Sequence, residues 1–512
     1  LYYFLNDNLQ FSKSGIEHAE LKRLELFKQH QIPAKIVTRI FAMNLHAVMA
    51  DAGLADTDLV NLFDFFCGSQ QVSSQSVKLA DFKIPADAIK TRKDRQVHVV
   101  RQGKLMMIIY LRPTEDEISN VQYFDINGKT LKMTWWDTRG MKCLEQLFDW
   151  DGKIVQEAYF GPDEQIHLEK LHFLNHAGQE RITWRVLNYH GTSWTFNGLN
   201  DLTRFFYDEL NQNDEENVFI CDRTVECAWG LFNMVTPAKK ILHLHNNHVG
   251  EEADSLHASF NNNYAHALNN WANWDAVISA TPEQSADVIA RFGQSIPAFT
   301  IPVGYVEETT LNAPQVPFEQ RQKYLMVQVA RLSPEKQQNH SIEAFQQVYA
   351  QFPEARLEFW GYANGDTEQQ LKAQVKAANL EKVIQFKGYT NDVNAVYNHA
   401  QVGLLPSRAE GFSLMLLEAQ AHGLPMIAND VKYGPSDIIQ DGVSGVLTTA
   451  GNVQQLADAM LDLLSHQDKL ATYSTNAYQN SQRYSAAAVF DKWQTLLEAF
   501  PSGAKPVAAT VK

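Results

Sequence analysis

The chain has 512 residues, enough for two or three domains with sizeable cores, and its 45% hydrophobic and 11% aromatic content is that of a globular protein rather than a disordered one. A net charge of −15 argues against nucleic acid as a general partner and leaves room only for a local basic pocket. The four cysteines (Cys67, Cys143, Cys221, Cys227) show no metal-ligand pairing and no disulfide framework, which fits a reducing cytoplasm.

Leu1 in place of Met suggests a trimmed or edited start. No charged segment with an apolar stretch and cleavage site follows, and no run is long enough to span a bilayer. The expectation is a soluble protein with at most peripheral membrane contact.

In chain order, Tyr2–Leu5 predicts a short strand, Ile16–Phe27 an amphipathic helix and Ala34–Thr38 a second strand. Gly15 then sits at a strand-to-helix turn, where the missing side chain lets a ligand approach the backbone, although from this feature alone a plain turn is the preferred reading. From Val72 to Asn200 the pattern changes to short alternating runs: 97–101, 104–111, 121–126, 130–135, 143–148, 154–160, 167–174 and 181–189. Asn127-Gly128, Arg139-Gly140, Asp151-Gly152, Gly161-Pro162 and Ala177-Gly178 separate several of them, which predicts an antiparallel meander inserted into an α/β domain. Its aromatics (Trp135, Trp136, Trp150, Tyr159, Trp184, Trp194) read as sheet core, with an exposed subset available to a partner or polymer. No repeat of fixed period is expected.

The α/β pattern resumes with a helix near Leu202–Leu210 and strands at 218–221, 240–245, 276–279 and 298–301. A proline-bearing linker leads to Pro317. A second series of strands follows at 324–330, 356–360, 383–386, 402–405 and 425–428, alternating with helices, so this half predicts a parallel, doubly wound domain. Helical patterning returns from Val453 to Phe500, with a break near Tyr484-Ser485, and Pro501-Ser-Gly-Ala-Lys-Pro predicts a disordered tail. The resulting domain plan is 1–71 with 201–317, an insert at 72–200, a second α/β domain at 318–485, a terminal helix at 486–500 that could cross back to the first domain, and a tail at 501–512.

The stretch Pro406–Pro425 carries the densest signal. The apolar Val402–Leu405 strand runs into Gly411, read as a tight turn, and Phe412 opens a helix that Gly423 and Pro425 end. A strand feeding such a turn points free helix N–H groups at the strand end, a ready anion site. Glu410 and Glu418 flank it with seven residues between them. A sugar nucleotide suits both features, because its diphosphate takes N–H groups while its hydroxyls donate to carboxylates. Arg331 and Lys336, after the first strand of the same domain, add cations for a diphosphate leaving group. Gly361 and Gly388-Tyr389-Thr390 follow the next strands, where such sheets bind ligands.

The ordered Arg331-x4-Lys336 and Glu410-x7-Glu418 pairs, with the meander and the Ser14-Gly15-Ile16-Glu17-His18 start, resemble the retaining GT-B glycosyltransferases of family four. The likeness is to a Gram-positive subgroup of accessory-secretion glycosyltransferases and wall teichoic acid α-glycosyltransferases. It implies an α/β fold of two Rossmann-like, doubly wound domains facing a cleft. By the same resemblance, Arg331 and Lys336 bind the donor diphosphate, Glu418 holds the ribose, and Glu410 faces the transferred sugar. Gly411, Phe412, Ser413 and Leu414 offer backbone N–H groups, and Gly388, Tyr389 and Thr390 match the uracil-binding segment. Ser14 and Gly15 approach the diphosphate from the first domain, and His245, at the end of its strand, matches the histidine that contacts the donor sugar.

The resemblance implies a UDP-GlcNAc or UDP-glucose donor and no metal. The acceptor is a serine-rich protein or a teichoic acid polymer. A homologous non-catalytic subunit or a homo-oligomer through the meander is implied, in the cytoplasm or at the inner membrane face. His243, His245 and His248 lack a completing carboxylate or cysteine in sequence, and Asp56-Thr-Asp58 and Asp149-Trp-Asp151 fall in turns, so none reads as a metal motif. Lys83, Lys90, Arg92, Lys93 and Arg95 read as a solvated loop or as a groove for a polyanion. A catalytically silent binding subunit is the reading from another class, and the presence of all four donor residues speaks against it.

Overall fold

The computed structural model describes residues 1–113, 116–212, 217–250, 252–363 and 365–502, with backbone alone at position 252. Beyond Ser502 the expected tail lies outside the described residues. The chain forms two compact units, Leu1–Lys240 with Ser502, and Ile241–Pro501.

In the first unit, Tyr2–Leu5 pairs in parallel with Val218–Cys221 on one side and Ala34–Thr38 on the other, and Leu59–Asn61 extends the sheet. All four residues of Tyr2–Leu5 and of Val218–Cys221 are buried, which is why these runs are continuously apolar rather than alternating. Leu59–Asn61 was not expected from sequence; three residues leave too short a run for periodicity to register. The helix Gly15–Gln29 follows the first strand, with the Ser14 N–H donating to Glu17 Oε2 at 2.6 Å.

The insert is a ten-stranded antiparallel meander in sequential order, from Ile89–Lys93 at one edge to Thr192–Phe196 at the other. Eight strands match the expected segments to within a few residues; the run placed at 121–126 is Ile118–Phe124, and Ile126 sits in a turn. The two edge strands were missed. Ile89–Lys93 is exposed at every residue, so it has no apolar alternation to read. Lys90, Arg92 and Lys93 therefore belong to an edge strand rather than a loop, and Arg92 makes a bidentate pair with Asp116 at 2.9 and 2.7 Å.

A repeat is present after all. Five-residue turns start at residues 125, 137, 149, 161 and 175, the first four twelve residues apart, each closed by two backbone bonds such as Asp125 N–H to Lys129 O and Gly128 N–H to Asp125 O. In four of them an Asp or Asn Oδ1 also accepts the N–H two residues on, and the glycine before the last residue takes positive φ. Only the turn recurs, with the strand residues free to vary, and that hides the period. Asp149 of the second D-x-D match serves one of these turns; Asp56 and Asp58 pair with His46 and Lys28. Among the aromatics, Tyr159 and Trp184 are buried against Phe63, whereas Trp150 and Trp194 are exposed.

The second unit holds two parallel arrays. Ala298–Thr300, Ala276–Ser279 and the end of Lys239–His243 pair side by side. Six parallel strands form the other sheet, in the order Ile384–Gly388, Arg356–Trp360, Leu325–Val329, Val402–Leu405, Met426–Asp430, Gly445–Thr449. Sequence order reverses between Leu325–Val329 and Val402–Leu405, and such a switch point opens a crevice at the strands' C-terminal ends. The last helix, Ala486–Ala499, places Trp493 against His243, and Phe500 beyond it packs on Phe299. The cysteines are free and buried. Among the described residues no helix is long and apolar enough to cross a membrane.

Candidate active site

Two loops leave the two central strands at the switch point, and their side chains meet. After Leu325–Val329, Gly361 lets the chain turn outward: a Cβ there, at φ 144°, would stand 2.1 Å from the Ala330 carbonyl oxygen. Pro334–Lys336 then forms a single 3-10 turn, held because Gln328 donates to the Lys336 carbonyl at 2.8 Å and Ser341 donates to Gln328 at 2.7 Å. This turn aims Lys336 at the loop after Val402–Leu405, where its Nζ lies 2.6 Å from Glu410 Oε1. Glu410 is buried, and the Arg408 N–H donates to the Glu335 carbonyl at 2.8 Å, so the loops are joined through main chain as well. Arg331 is exposed and its guanidinium turns to Glu335 on its own loop.

The 406–414 segment differs from expectation in two respects. Helix begins at Leu414, two residues later than expected, and the residue in the left-handed region is Ser413, at φ 77°. Gly411 has no positive φ and is required for a different reason. A Cβ on it would stand 2.0 Å from the His245 carbonyl oxygen and 2.7 Å from the Asn246 Cα. The glycine thus permits backbone to lie on backbone, bringing the 245–246 segment onto the carboxylate loop. His245 is two residues past its strand, which ends at His243, and its ring lies 4.1 Å from that of His243. Its N–H and that of Asn246 both donate to the Tyr264 hydroxyl, at 2.9 and 3.0 Å.

Glu418 is half-buried on the helix Leu414–Ala421, hydrogen-bonded by the Tyr397 hydroxyl. Burial, with that carboxylate beside it, pushes the phenol well above its ordinary range, so Tyr397 is a fixed donor. One carboxylate oxygen is thereby oriented while the other keeps acceptor capacity. Tyr397→Phe is expected to raise the donor KM about tenfold, the low end of the value of one hydrogen bond to a charged group, with kcat little changed. A KM equal to wild type in steady-state kinetics would remove Tyr397 from the site.

Gly388 is the last residue of its strand, at φ 77°, and its carbonyl accepts from Gly361 N–H at 2.9 Å. Gly388 and Tyr389 are exposed, with Tyr389 6.2 Å from Tyr362, and Thr390 accepts from the Asp392 N–H. These residues follow the outermost strand of the sheet. Ser14 and Gly15 belong to the first unit. Arg223 donates to Ser14 Oγ at 3.0 Å, and Gly15 is exposed with open space where a Cβ would be.

Sequence reading passed over Gln284, Asp287, Tyr433 and Gly434, which touch the carboxylate loop or its neighbours. The only available signal was the Gly434-Pro435 pair, a turn mark of low specificity. His248, the third of the histidine group, is fully buried with its ring stacked on Tyr433 at 6.1 Å. Burial pushes its imidazole down to about 4, with Arg291 and Lys432 adding to the effect and Asp287 opposing it. His422 is likewise pushed down to about 4 by burial, with the Arg321 guanidinium adding to it. Both fold as neutral rings, so the unfolded chain takes up their protons first as pH falls. Their stability contribution is intact above pH 6.5 and is lost as pH falls toward 4, by at most about 3 kcal/mol each. Melting temperatures recorded across that window should decline; a flat profile would contradict the neutral-histidine assignment.

Residues 311–480, spanning Arg331, Lys336, Glu410 and Glu418, match the family Glycosyl transferases group 1. The chain is 26% identical to the "UDP-N-acetylglucosamine--peptide N-acetylglucosaminyltransferase GtfA subunit" of Streptococcus gordonii, over 97% of this chain and 98% of the relative. It is 23% identical to the "Poly(glycerol-phosphate) alpha-glucosyltransferase" of Bacillus subtilis (strain 168), over 96% of this chain and 74% of the relative. The pneumococcal O-GlcNAc transferase GtfA, solved in complex with UDP and GlcNAc, superposes with a TM-score of 0.83 at 22% identity, covering 98% of each chain. With the cation–carboxylate pair at the switch point inside the matched residues, and a fold shared with that transferase over nearly the whole length, the chain has the GT-B fold, and its residues 311–480 match the group 1 glycosyltransferases.

Proposed function

We propose that the protein is a retaining glycosyltransferase that moves GlcNAc or glucose from a UDP-sugar to serine and threonine hydroxyls of a serine-rich surface protein. The observation that carries the reading is the Lys336–Glu410 pair at the switch point, 2.6 Å apart, inside a chain similar end to end to a peptide GlcNAc transferase. An ammonium has three donors, so Lys336 can keep Glu410 and still give an N–H to a phosphate oxygen. Arg331 brings further N–H groups to the same strand end. As the bond from the anomeric carbon to UDP breaks, these cations hold the charge that grows on the diphosphate. The acceptor oxygen bonds to that carbon on the same face, and its proton passes to a donor phosphate oxygen. Glu410 positions the sugar, His245 contacts it, Glu418 takes the ribose hydroxyls, and the Gly388–Thr390 segment takes the uracil.

With two cations serving the leaving group, transfer is metal-independent and should persist in chelator. The word "subunit" in the relative's name supports a partner subunit, and we place its docking on the meander. The enzyme works in the cytoplasm, at most peripherally at the membrane's inner face. The second reading, transfer to a poly(glycerol- or ribitol-phosphate), is favoured by the exposed basic edge strand with Lys90, Arg92 and Lys93, and by the likeness to a poly(glycerol-phosphate) glucosyltransferase.

UDP release from UDP-glucose and UDP-GlcNAc, with a serine-rich peptide or a glycerol-phosphate polymer, separates the two. Peptide-dependent turnover supports the first reading. Polymer-dependent turnover replaces it with the second. Absence of donor binding by both UDP-sugars would overturn the donor site.

A further inference from the structure

The carboxylate loop 410–412 is held on two sides, and both holds lead to one helix, Pro282–Phe292. On one side Gly411 lies on the His245–Asn246 backbone, and the Asn246 carbonyl accepts from Gln284 at 2.8 Å. On the other side the Tyr433 N–H donates to the Glu410 carbonyl at 3.0 Å, and Gly434 lies on Phe412, where a Cβ would stand 2.2 Å from the Phe412 carbonyl oxygen. Tyr433 is fully buried and its hydroxyl donates to Asp287 Oδ2 at 2.6 Å. Lys432 reaches the same Asp287 oxygen at 2.8 Å and Glu283 at 3.2 Å. Gln284 and Asp287 are three residues apart, on one face of the helix. Burial would raise the Asp287 carboxyl, but the Lys432 and Tyr433 bonds outweigh it and hold it below the usual carboxylate range.

We infer that Asp287 is a positioning residue for the transfer reaction: through Tyr433 it fixes the main chain that carries Glu410. The inference rests on the assignment of Glu410 to the donor site. The helix follows the strand Ala276–Ser279, whereas Glu410 follows a strand of the six-stranded sheet, so Asp287 ties one parallel array to the reacting loop of the other. A carboxylate suits this place because it accepts from a phenol and an ammonium at once, on one oxygen.

The test uses the full chain with Asp287→Ala, Asp287→Asn and Tyr433→Phe. Amide hydrogen exchange of residues 406–414 should quicken about tenfold in Asp287→Ala and Tyr433→Phe, with the rest of the unit unchanged. Asp287→Asn, whose amide oxygen still accepts from Tyr433, should restore most of the protection. In UDP release, kcat of the first two variants should fall about tenfold with donor KM within about twofold. Unchanged exchange at 406–414, or loosening spread evenly over the unit, would overturn the inference. Wild-type protein that turns over neither donor would overturn the transfer reading, and the exchange result would still decide whether Asp287 holds the loop.

Discussion

Lys336→Ala is expected to lower the transfer rate by about 10²–10³ while leaving a folded protein, the loss seen when a preorganised charge contact to a leaving group is removed. The geometry makes this variant informative in two ways. Lys336 sits 2.6 Å from Glu410, so its loss removes a cation from the diphosphate and also leaves a buried carboxylate without its ion partner. Because Lys336 is itself about a fifth exposed, the stability cost should fall below the ~3–5 kcal/mol of a fully buried broken pair. Pairing it with Glu410→Gln separates the two effects: the double variant should recover most of the lost stability and none of the lost rate. Single-turnover rates and denaturant melts would check this. A Lys336→Ala enzyme within threefold of wild type would remove the residue from catalysis.

Gly411→Ala should be the most damaging single methyl group in the site. The added Cβ would stand 2.0 Å from the His245 carbonyl oxygen, with backbone rather than a flexible side chain in its path. One strand of backbone has to move by about an ångström, and both carry site residues: Glu410 on one, His245 on the other. Displacements of that size cost about a hundredfold in rate, and overpacking costs about 1–3 kcal/mol. Gly15→Ala makes the contrast, since open space surrounds that position and folding should be unaffected. Equal kcat values for Gly411→Ala and wild type would show that the two segments do not need their close approach.

The expected strands of the six-stranded sheet that reappear carry a clear apolar signal: Val402–Leu405 is a continuous buried run, and Arg356–Trp360 alternates buried Leu357 and Phe359 with half-buried residues. The segments that escaped were those without such a signal. Ile89–Lys93 faces water throughout, and Gly445–Thr449 alternates too little to separate from loop. His245 was expected at the end of its strand; the strand stops at His243, and the His245 N–H donates to the Tyr264 hydroxyl rather than to a neighbouring strand.

The sequence by itself determined the order of most strands and helices, the existence of the meander and the ordered cation and carboxylate positions, because each depends on neighbours within a few residues. Residue chemistry also marked Gly411 as special, though for a turn it does not make. Only the tertiary structure decided that Lys336 meets Glu410, that Arg331 turns to Glu335, that Tyr397 orients Glu418, and that Asp287 reaches the Glu410 loop through Tyr433. The physical reason is the same in each long-range case. Residues 336 and 410, or 287 and 433, are far apart along the chain, and no local periodicity carries the distance between them. That distance is set when parallel strands stack in register and leave their loops at the same end of the sheet.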